Sequence, residues 1–181
     1  MHTNTKKLTQ AAVMAALTAV GAFLRFPLGA MSFTMQDMFT VLAGVLLGWQ
    51  WGAASQAVYV ALGLIGLPIF TQGGGLGYVF QPSFGFLLGI IPAAALTGLL
   101  AGNGGNRRRV VSACTVGLAA MYLIGVPYMG MILNLYMGKG LSVWTIVKTG
   151  FLVYLPGDAL KVAVVAAVAP ALRRGVRAAE A

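Results

Sequence analysis

Long apolar runs alternate with short polar segments along most of the chain. From Met38 to Asn106 the sequence contains no Asp, Glu, Lys, Arg or His. A run of more than about 18 such residues is typical of bilayer-spanning segments, and a helix needs about 20 residues to cross. The pattern therefore predicts a helical membrane protein.

Four apolar runs have the length of one crossing helix: residues 7–25, 84–101, 110–135 and 154–172. The stretch 35–66 is long for one crossing and short for two, and its middle places two tryptophans between Gly48 and Gly52. Tryptophan is enriched at membrane interfaces and glycine in turns. This stretch therefore predicts a helical hairpin with spans 35–48 and 52–66.

The chain crosses five times if residues 35–66 form one span and six times if they form a hairpin, and the basic residues distinguish the two counts. The chain has 12 basic and 3 acidic residues. Three basic clusters flank apolar runs: Lys6 with Lys7, Arg107 with Arg108 and Arg109, and Arg173 with Arg174 and Arg177. Basic residues concentrate on the cytoplasmic side of membrane helices, and six crossings place all three clusters there. We expect one all-α membrane domain, residues 1–181, with six transmembrane helices and both termini cytoplasmic.

The composition excludes other classes of protein. Hydrophobic residues make up 59% of the chain and charged residues 8%, whereas soluble domains carry about 25% charged residues. This excludes a soluble enzyme. The basic residues lack an aromatic-rich surface for stacking bases, so we expect no nucleic-acid partner. One cysteine, one histidine and three acidic residues make a metal site or catalytic residues unexpected.

The outer side of this topology carries candidate ligand-binding groups. Its central connection, residues 67–83, is glycine-rich, and loops above about 12 residues are often lids or binding loops. A flexible surface loop is the alternative. Amides and hydroxyls orient small polar ligands in apolar clefts. The candidates are Thr34, Gln36, Thr71, Tyr78, Gln81 and Asn134.

One ionisable pair lies inside a predicted span. Asp158 and Lys161 are three residues apart and therefore share one helical face, and each intramembrane charge costs about 2.5–3.5 kcal/mol. The pair is either a self-neutralising ion pair at the interface or a ligand site. In the second case Lys161 binds a ligand carboxylate and Asp158 accepts hydrogen bonds from ligand N–H groups. Asp37 is expected to cap the second helix, and Tyr122 to be a core or interface aromatic.

Small residues recur every four positions along the first span, as Ala11, Ala15 and Ala19 and as Ala12 and Ala16. Such faces let helices approach closely in lipid. This strip predicts either a docking face for a partner subunit or internal packing. The sequence contains no GxxxxGK[ST] motif, so ATP-driven work would need a separate chain.

Three segments resemble the BioY family, the biotin-specific substrate-capture (S) components of energy-coupling factor (ECF) transporters. The first is Ser32-Phe33-Thr34-Met35-Gln36, with Val41-Leu42-Ala43-Gly44 and Leu46-Leu47-Gly48 after it. The second runs from Ala61 to Phe70 and continues through glycines to Gly77, and the third is Pro156-Gly157-Asp158 with Lys161. The matches spread from about residue 8 to 175, in the family's order and spacing.

The resemblance implies an S-component fold in a prokaryotic plasma membrane, with biotin as ligand and no cofactor. It also implies that Asp158 and Lys161 contact biotin, and that the alanine strip meets a transmembrane coupling subunit. Two cytoplasmic ATPase subunits would complete the transporter. Many members carry Gly-Pro-Thr-Gly-Gly-Tyr after the lid, whereas this chain has Gln81-Pro82-Ser83-Phe84-Gly85-Phe86, so we expect Gln81 to substitute there. An S component for another vitamin and a stand-alone secondary transporter are the alternatives.

Overall fold

The computed structural model describes residues 2–28, 31–102 and 104–180. Helices make up most of it. In chain order the elements are α1 (His2–Phe23), β1 (Arg25–Leu28), β2 (Met31–Thr34), α2 (Gln36–Leu64), a 3₁₀ helix (Leu76–Phe80), α3 (Phe84–Ala101), α4 (Arg107–Met131), a first π-helical turn (Ile132–Tyr136), α5 (Val143–Val147), a second π-helical turn (Lys148–Leu152) and α6 (Leu155–Glu180).

Within the described part of the chain, four helical segments are long and apolar enough to cross a membrane. They are Gln36–Leu64, Phe84–Ala101, Arg107–Tyr136 and Val143–Gly175. Several apolar segments of this length in one chain define a multi-pass membrane protein.

Helix α2 is interrupted at Gly48, where φ is 78° and ψ is −178°. Glycine adopts this conformation without the steric cost that a Cβ imposes. The Thr40 hydroxyl donates a hydrogen bond to the side-chain oxygen of Gln56 at 3.1 Å, although sixteen residues of straight helix would extend about 24 Å. The chain therefore reverses direction at Gly48, and the two halves of α2 pack side by side.

Helix α3 lies at the centre of the bundle. It packs against α2 on one side and α4 on the other, while α1 packs on α2 and α6 contacts both α2 and α4. The α4 helix begins at a capped residue, since the Asn106 side-chain oxygen accepts from the backbone N–H of Arg108 at 3.0 Å. Buried small residues such as Ala93 and Ala113 let the central helices approach closely in lipid.

Two segments differ from the all-helical expectation. Residues 25–28 and 31–34 form an antiparallel pair in which Phe26 lies opposite Phe33, and this pair links the first two expected helices. Residues 143–152 form α5 and the second π-helical turn between the expected spans 110–135 and 154–172. Both elements are too short to show the hydrophobic period from which helices and strands are predicted.

The glycine-rich connection at residues 67–83, called the lid below, has a defined conformation. The Phe70 side chain is 1% exposed, and its ring centroid lies 5.5 Å from that of Tyr59 and 4.7 Å from that of Tyr78. The backbone N–H of Gly75 donates to the carbonyl of Gly63 at 2.7 Å. The buried aromatic ring and this hydrogen bond hold the loop against α2, unlike the flexible surface loop that was the alternative.

Candidate functional site

A cavity opens beside the lid, between β2 and the ends of α2, α3, α4 and α6. Its empty volume, with the open mouth included, is about 820 Å³. Apolar side chains form part of its wall: Phe86, Leu87, Ile90 and Met121. Polar side chains come from β2, the lid, α2, α4 and α6, and three of them are charged residues of α2 and α6.

Those three residues, Asp37, Asp158 and Lys161, are here called the charged cluster. The Lys161 ammonium donates to the two carboxylate oxygens of Asp37 at 2.7 and 2.8 Å and to Oδ1 of Asp158 at 3.1 Å. Asp37 is 7% exposed, Asp158 4% and Lys161 5%. An ammonium has three donors, so protein carboxylates occupy all of those of Lys161.

The start of α6 positions the charged cluster. Asp158 lies in the first turn of α6, with Lys161 on the same face. A Cβ on Gly157 would collide with the ring of Phe33, so glycine lets β2 approach α6 here. The Phe33 ring consequently lies under the ammonium, with its centroid 3.8 Å from Nζ of Lys161, a cation–π distance.

Tyr122 of α4 binds the other side of Asp158. Its hydroxyl donates to Oδ2 of Asp158, and its ring packs edge-on against Phe86 and Phe151. Tyr122 was expected to be a core or interface aromatic. The structure gives it a hydrogen bond to the charged cluster and a place in the cavity wall.

The lid contributes uncharged polar groups. The Tyr78 hydroxyl lies 2.8 Å from the Thr71 hydroxyl and 3.2 Å from that of Ser83. Gln72 and Gln81 also line the cavity. Hydroxyls and amides both donate and accept, so this side of the cavity suits a polar ligand group that remains partly hydrated.

Seven of the eight residues predicted to bind ligand line the cavity: Thr34, Gln36, Thr71, Tyr78, Gln81, Asp158 and Lys161. Asn134 does not line it. Its side-chain amide donates to the carbonyl of Leu141 at 2.8 Å and accepts from the N–H of Leu141 at 2.7 Å. Asn134 therefore stabilises the connection between α4 and α5, because both ends of its amide bind the backbone there.

The capping role expected of Asp37 is wrong. The oxygens of Asp37 bind Lys161 on α6 instead, and the backbone N–H of Gln36 donates to the Thr34 hydroxyl at 3.4 Å. The sequence contains a signal for this contact: Asp37 and Asp158 are the acidic residues besides the C-terminal Glu180. A buried carboxylate needs a cation, and Lys161 lies in a predicted span away from the basic clusters.

The alanine strip of α1 divides into two faces. Ala11 and Ala15 are each 4% exposed and pack inside the protein, and Ala19 is half-buried against the same core. Ala12 and Ala16 are exposed. Internal packing thus accounts for one face, and the other faces outward.

The described residues form a multi-pass helical membrane protein with a partly charged cavity, an arrangement typical of membrane-embedded sites for small ligands. The model of the BioY family matches residues 1–178. The probable biotin transporter BioY of Lysinibacillus sphaericus is 41% identical over 157 residues, covering 86% of this chain and 80% of the relative. The chain belongs to the BioY family.

Two further matches cover nearly the whole chain. The biotin transporter BioY of Thermotoga maritima is 32% identical over 170 residues, covering 93% of this chain and 96% of the relative. A crystal structure of the S-component for biotin from an ECF-type ABC transporter matches with a TM-score of 0.72 and 27% identity. That match covers 94% of this chain and 92% of the other.

Proposed function

We propose that this protein captures biotin as the S component of an ECF-type transporter in a prokaryotic plasma membrane. It binds its ligand and catalyses no reaction, while a transmembrane coupling subunit and two cytoplasmic ATPase subunits supply the energy. Family membership over residues 1–178 and the likeness to an S-component for biotin support this role. The observation that carries it is the buried charged cluster inside a lidded cavity.

The hydrogen bonds of the charged cluster suggest which end of biotin lies against it. The donors of Lys161 are occupied, so a ligand carboxylate would have to displace a buried carboxylate to bind there. The carboxylate oxygens of Asp37 and Asp158 retain lone pairs that accept further hydrogen bonds. The ureido ring of biotin carries two N–H donors, and we place that ring at the charged cluster.

The valeryl carboxylate of biotin then lies toward the lid. Gln81, Thr71 and Ser83 supply hydrogen-bond donors on that side, and a carboxylate near solvent keeps part of its hydration. The thioether ring and the alkyl chain pack against Phe86 and the other apolar wall residues. This orientation replaces the expectation that Lys161 binds the ligand carboxylate.

We also propose six membrane crossings with both termini in the cytoplasm. The reversal of α2 at Gly48 allows residues 35–48 and 52–66 to cross in opposite directions. With α1 and the remaining three spans, this topology puts the three basic clusters on one side, as basic residues on cytoplasmic flanks require. Arg177 of the last cluster lies outside the residues whose side chains are described.

The outward face of α1 is the proposed contact with the coupling subunit. Ala12 and Ala16 are exposed, so a helix of another subunit has room to pack closely there. Ala11, Ala15 and Ala19 support this face from inside. The docking surface is therefore narrower than the full strip.

Binding of biotin to the purified protein in detergent tests the function. Isothermal titration calorimetry is expected to show saturable binding at nanomolar concentration. Thiamine and riboflavin serve as controls for an S component that takes another vitamin. Binding of a control vitamin without binding of biotin would reject the assignment.

The second candidate, a stand-alone secondary transporter, differs in its source of energy. Reconstituted with the coupling and ATPase subunits, the protein is expected to import biotin only when ATP is present. Uptake by the protein alone, abolished by dissipating a proton or sodium gradient, would favour the secondary transporter. The gradient experiment is needed because the charged cluster contains intramembrane carboxylates, which also occur in proton relays.

A further inference from the structure

Asp37 gives the charged cluster a net negative charge, whereas Asp158 and Lys161 alone form a neutral pair. Asp158 and Lys161 compensate each other at 3.1 Å, and Asp37 adds a second carboxylate at 2.7 Å from the same ammonium. Among the described residues that line the cavity, Lys161 is the one cation. The charged cluster therefore carries one excess negative charge when all three groups are ionised.

When Asp37 is ionised, its charge lies where a ligand in the cavity would meet it. The side chain of Asp37 is 10% exposed, and Asp37 itself lines the cavity. Charges act on one another more strongly in such a site than in water, because the protein interior has a lower effective dielectric constant. Salt also screens buried charges less than surface charges.

We propose that Asp37 is a specificity-determining residue, whose charge makes the buried side of the cavity favour hydrogen-bond donors and cations and reject anions. The inference rests on the proposed function, and in particular on the ureido ring lying at the charged cluster. Without Asp37 the cluster would be a neutral ion pair, with no electrostatic preference for a cationic over a neutral ligand. Asp37 thus excludes the carboxylate end of biotin from the buried side and fixes the direction in which the ligand enters.

The test compares biotin with iminobiotin, in which an imino group replaces the ureido oxygen. The resulting guanidine is protonated at neutral pH, so iminobiotin carries a positive charge where biotin is neutral. Asp37→Asn keeps the size of the side chain and removes its charge. The ratio of the iminobiotin Kd to the biotin Kd is expected to rise about tenfold in this variant, since one nearby charge in a partly buried site has an effect of that order.

Asp37→Glu is the matched control, because it keeps the charge while altering the geometry. We expect Asp37→Glu to weaken both ligands by similar factors and to leave the ratio near that of the unchanged protein. Asp37→Thr is a second neutral variant, for use if Asp37→Asn does not fold. It is expected to raise the ratio as Asp37→Asn does.

A ratio that stays constant in both neutral variants would overturn the proposal, because a purely structural Asp37 changes both affinities together. A ratio that rises equally in Asp37→Glu would overturn it too, since geometry rather than charge would then set the preference. These outcomes differ from failure of the proposed function. In that case the unchanged protein would bind neither biotin nor iminobiotin.

Discussion

Replacing Lys161 with alanine removes the centre of the charged cluster. The ammonium binds Asp37 at 2.7 and 2.8 Å and Asp158 at 3.1 Å. In Lys161→Ala both carboxylates stay buried without a cation. The perturbation therefore affects every acceptor that we assign to the ureido ring.

The expected magnitude follows from the burial of these groups. Removing one partner of a buried ion pair costs about 3–5 kcal/mol, because the remaining charge is uncompensated. Part of this cost falls on folding, and the carboxylates also lose the position in which they accept from the ligand. We expect the part that falls on binding to exceed about 1.4 kcal/mol, a tenfold rise in the Kd for biotin.

Calorimetric titration of the purified variant with biotin measures this rise. Lys148→Ala is the control, because Lys148 is exposed and is not a cavity residue, and it should leave the Kd unchanged. The double variant Lys161→Ala with Asp37→Asn removes one of the two uncompensated charges. It should recover part of the thermal stability lost in Lys161→Ala without recovering the affinity.

An unchanged Kd in folded Lys161→Ala would refute this reasoning. The charged cluster would then be a structural ion pair, and the ligand would bind elsewhere. An equal loss of affinity in Lys148→Ala would instead indicate a general effect of positive charge on an anionic ligand.

Three further predictions concern other parts of the protein. Tyr122→Phe removes a hydrogen bond to a carboxylate, worth about 1.5–3 kcal/mol, and should raise the Kd for biotin about tenfold in the same titration. Ala16→Leu should preserve biotin binding and prevent copurification with the coupling subunit. Ala15→Leu should instead lower the melting temperature, because Ala15 is 4% exposed. The opposite pattern would mean that Ala15 faces the coupling subunit and Ala16 packs inside the protein. Gly48→Ala should destabilise the protein by about 1–3 kcal/mol, since φ is 78° there. Gly105→Ala is the control, because a Cβ at either glycine meets open space. Equal melting temperatures for the two variants would contradict the proposed backbone strain at the Gly48 turn.

A long apolar run predicts a crossing helix because lipid imposes a minimum length on every crossing. The helix Phe84–Ala101 coincides with the apolar run at residues 84–101. The reversal in α2 was predictable from Gly48, since the glycine coincides with a run too long for one crossing. The β1–β2 pair was not predictable, because four-residue strands beside a turn show too few positions for a period of two.

Only the part of the site formed by residues close together in sequence was predictable. Asp158 and Lys161 share a helix face because they lie three residues apart, and their cost in lipid makes them candidate functional residues. Asp37 lies 124 residues from Lys161 in sequence, so only the folded chain brings them together. Asn134 was predicted to bind ligand, but its amide binds the nearby backbone. The sequence alone does not distinguish these two roles of an asparagine.

A structure of the protein with biotin bound is the most direct test of the account. We predict that the bicyclic ring occupies the cavity beneath the lid, with the ureido N–H groups within hydrogen-bond distance of Asp37 or Asp158 and the carboxylate toward Gln81. A biotin carboxylate bound to Lys161, or biotin bound outside this cavity, would contradict it.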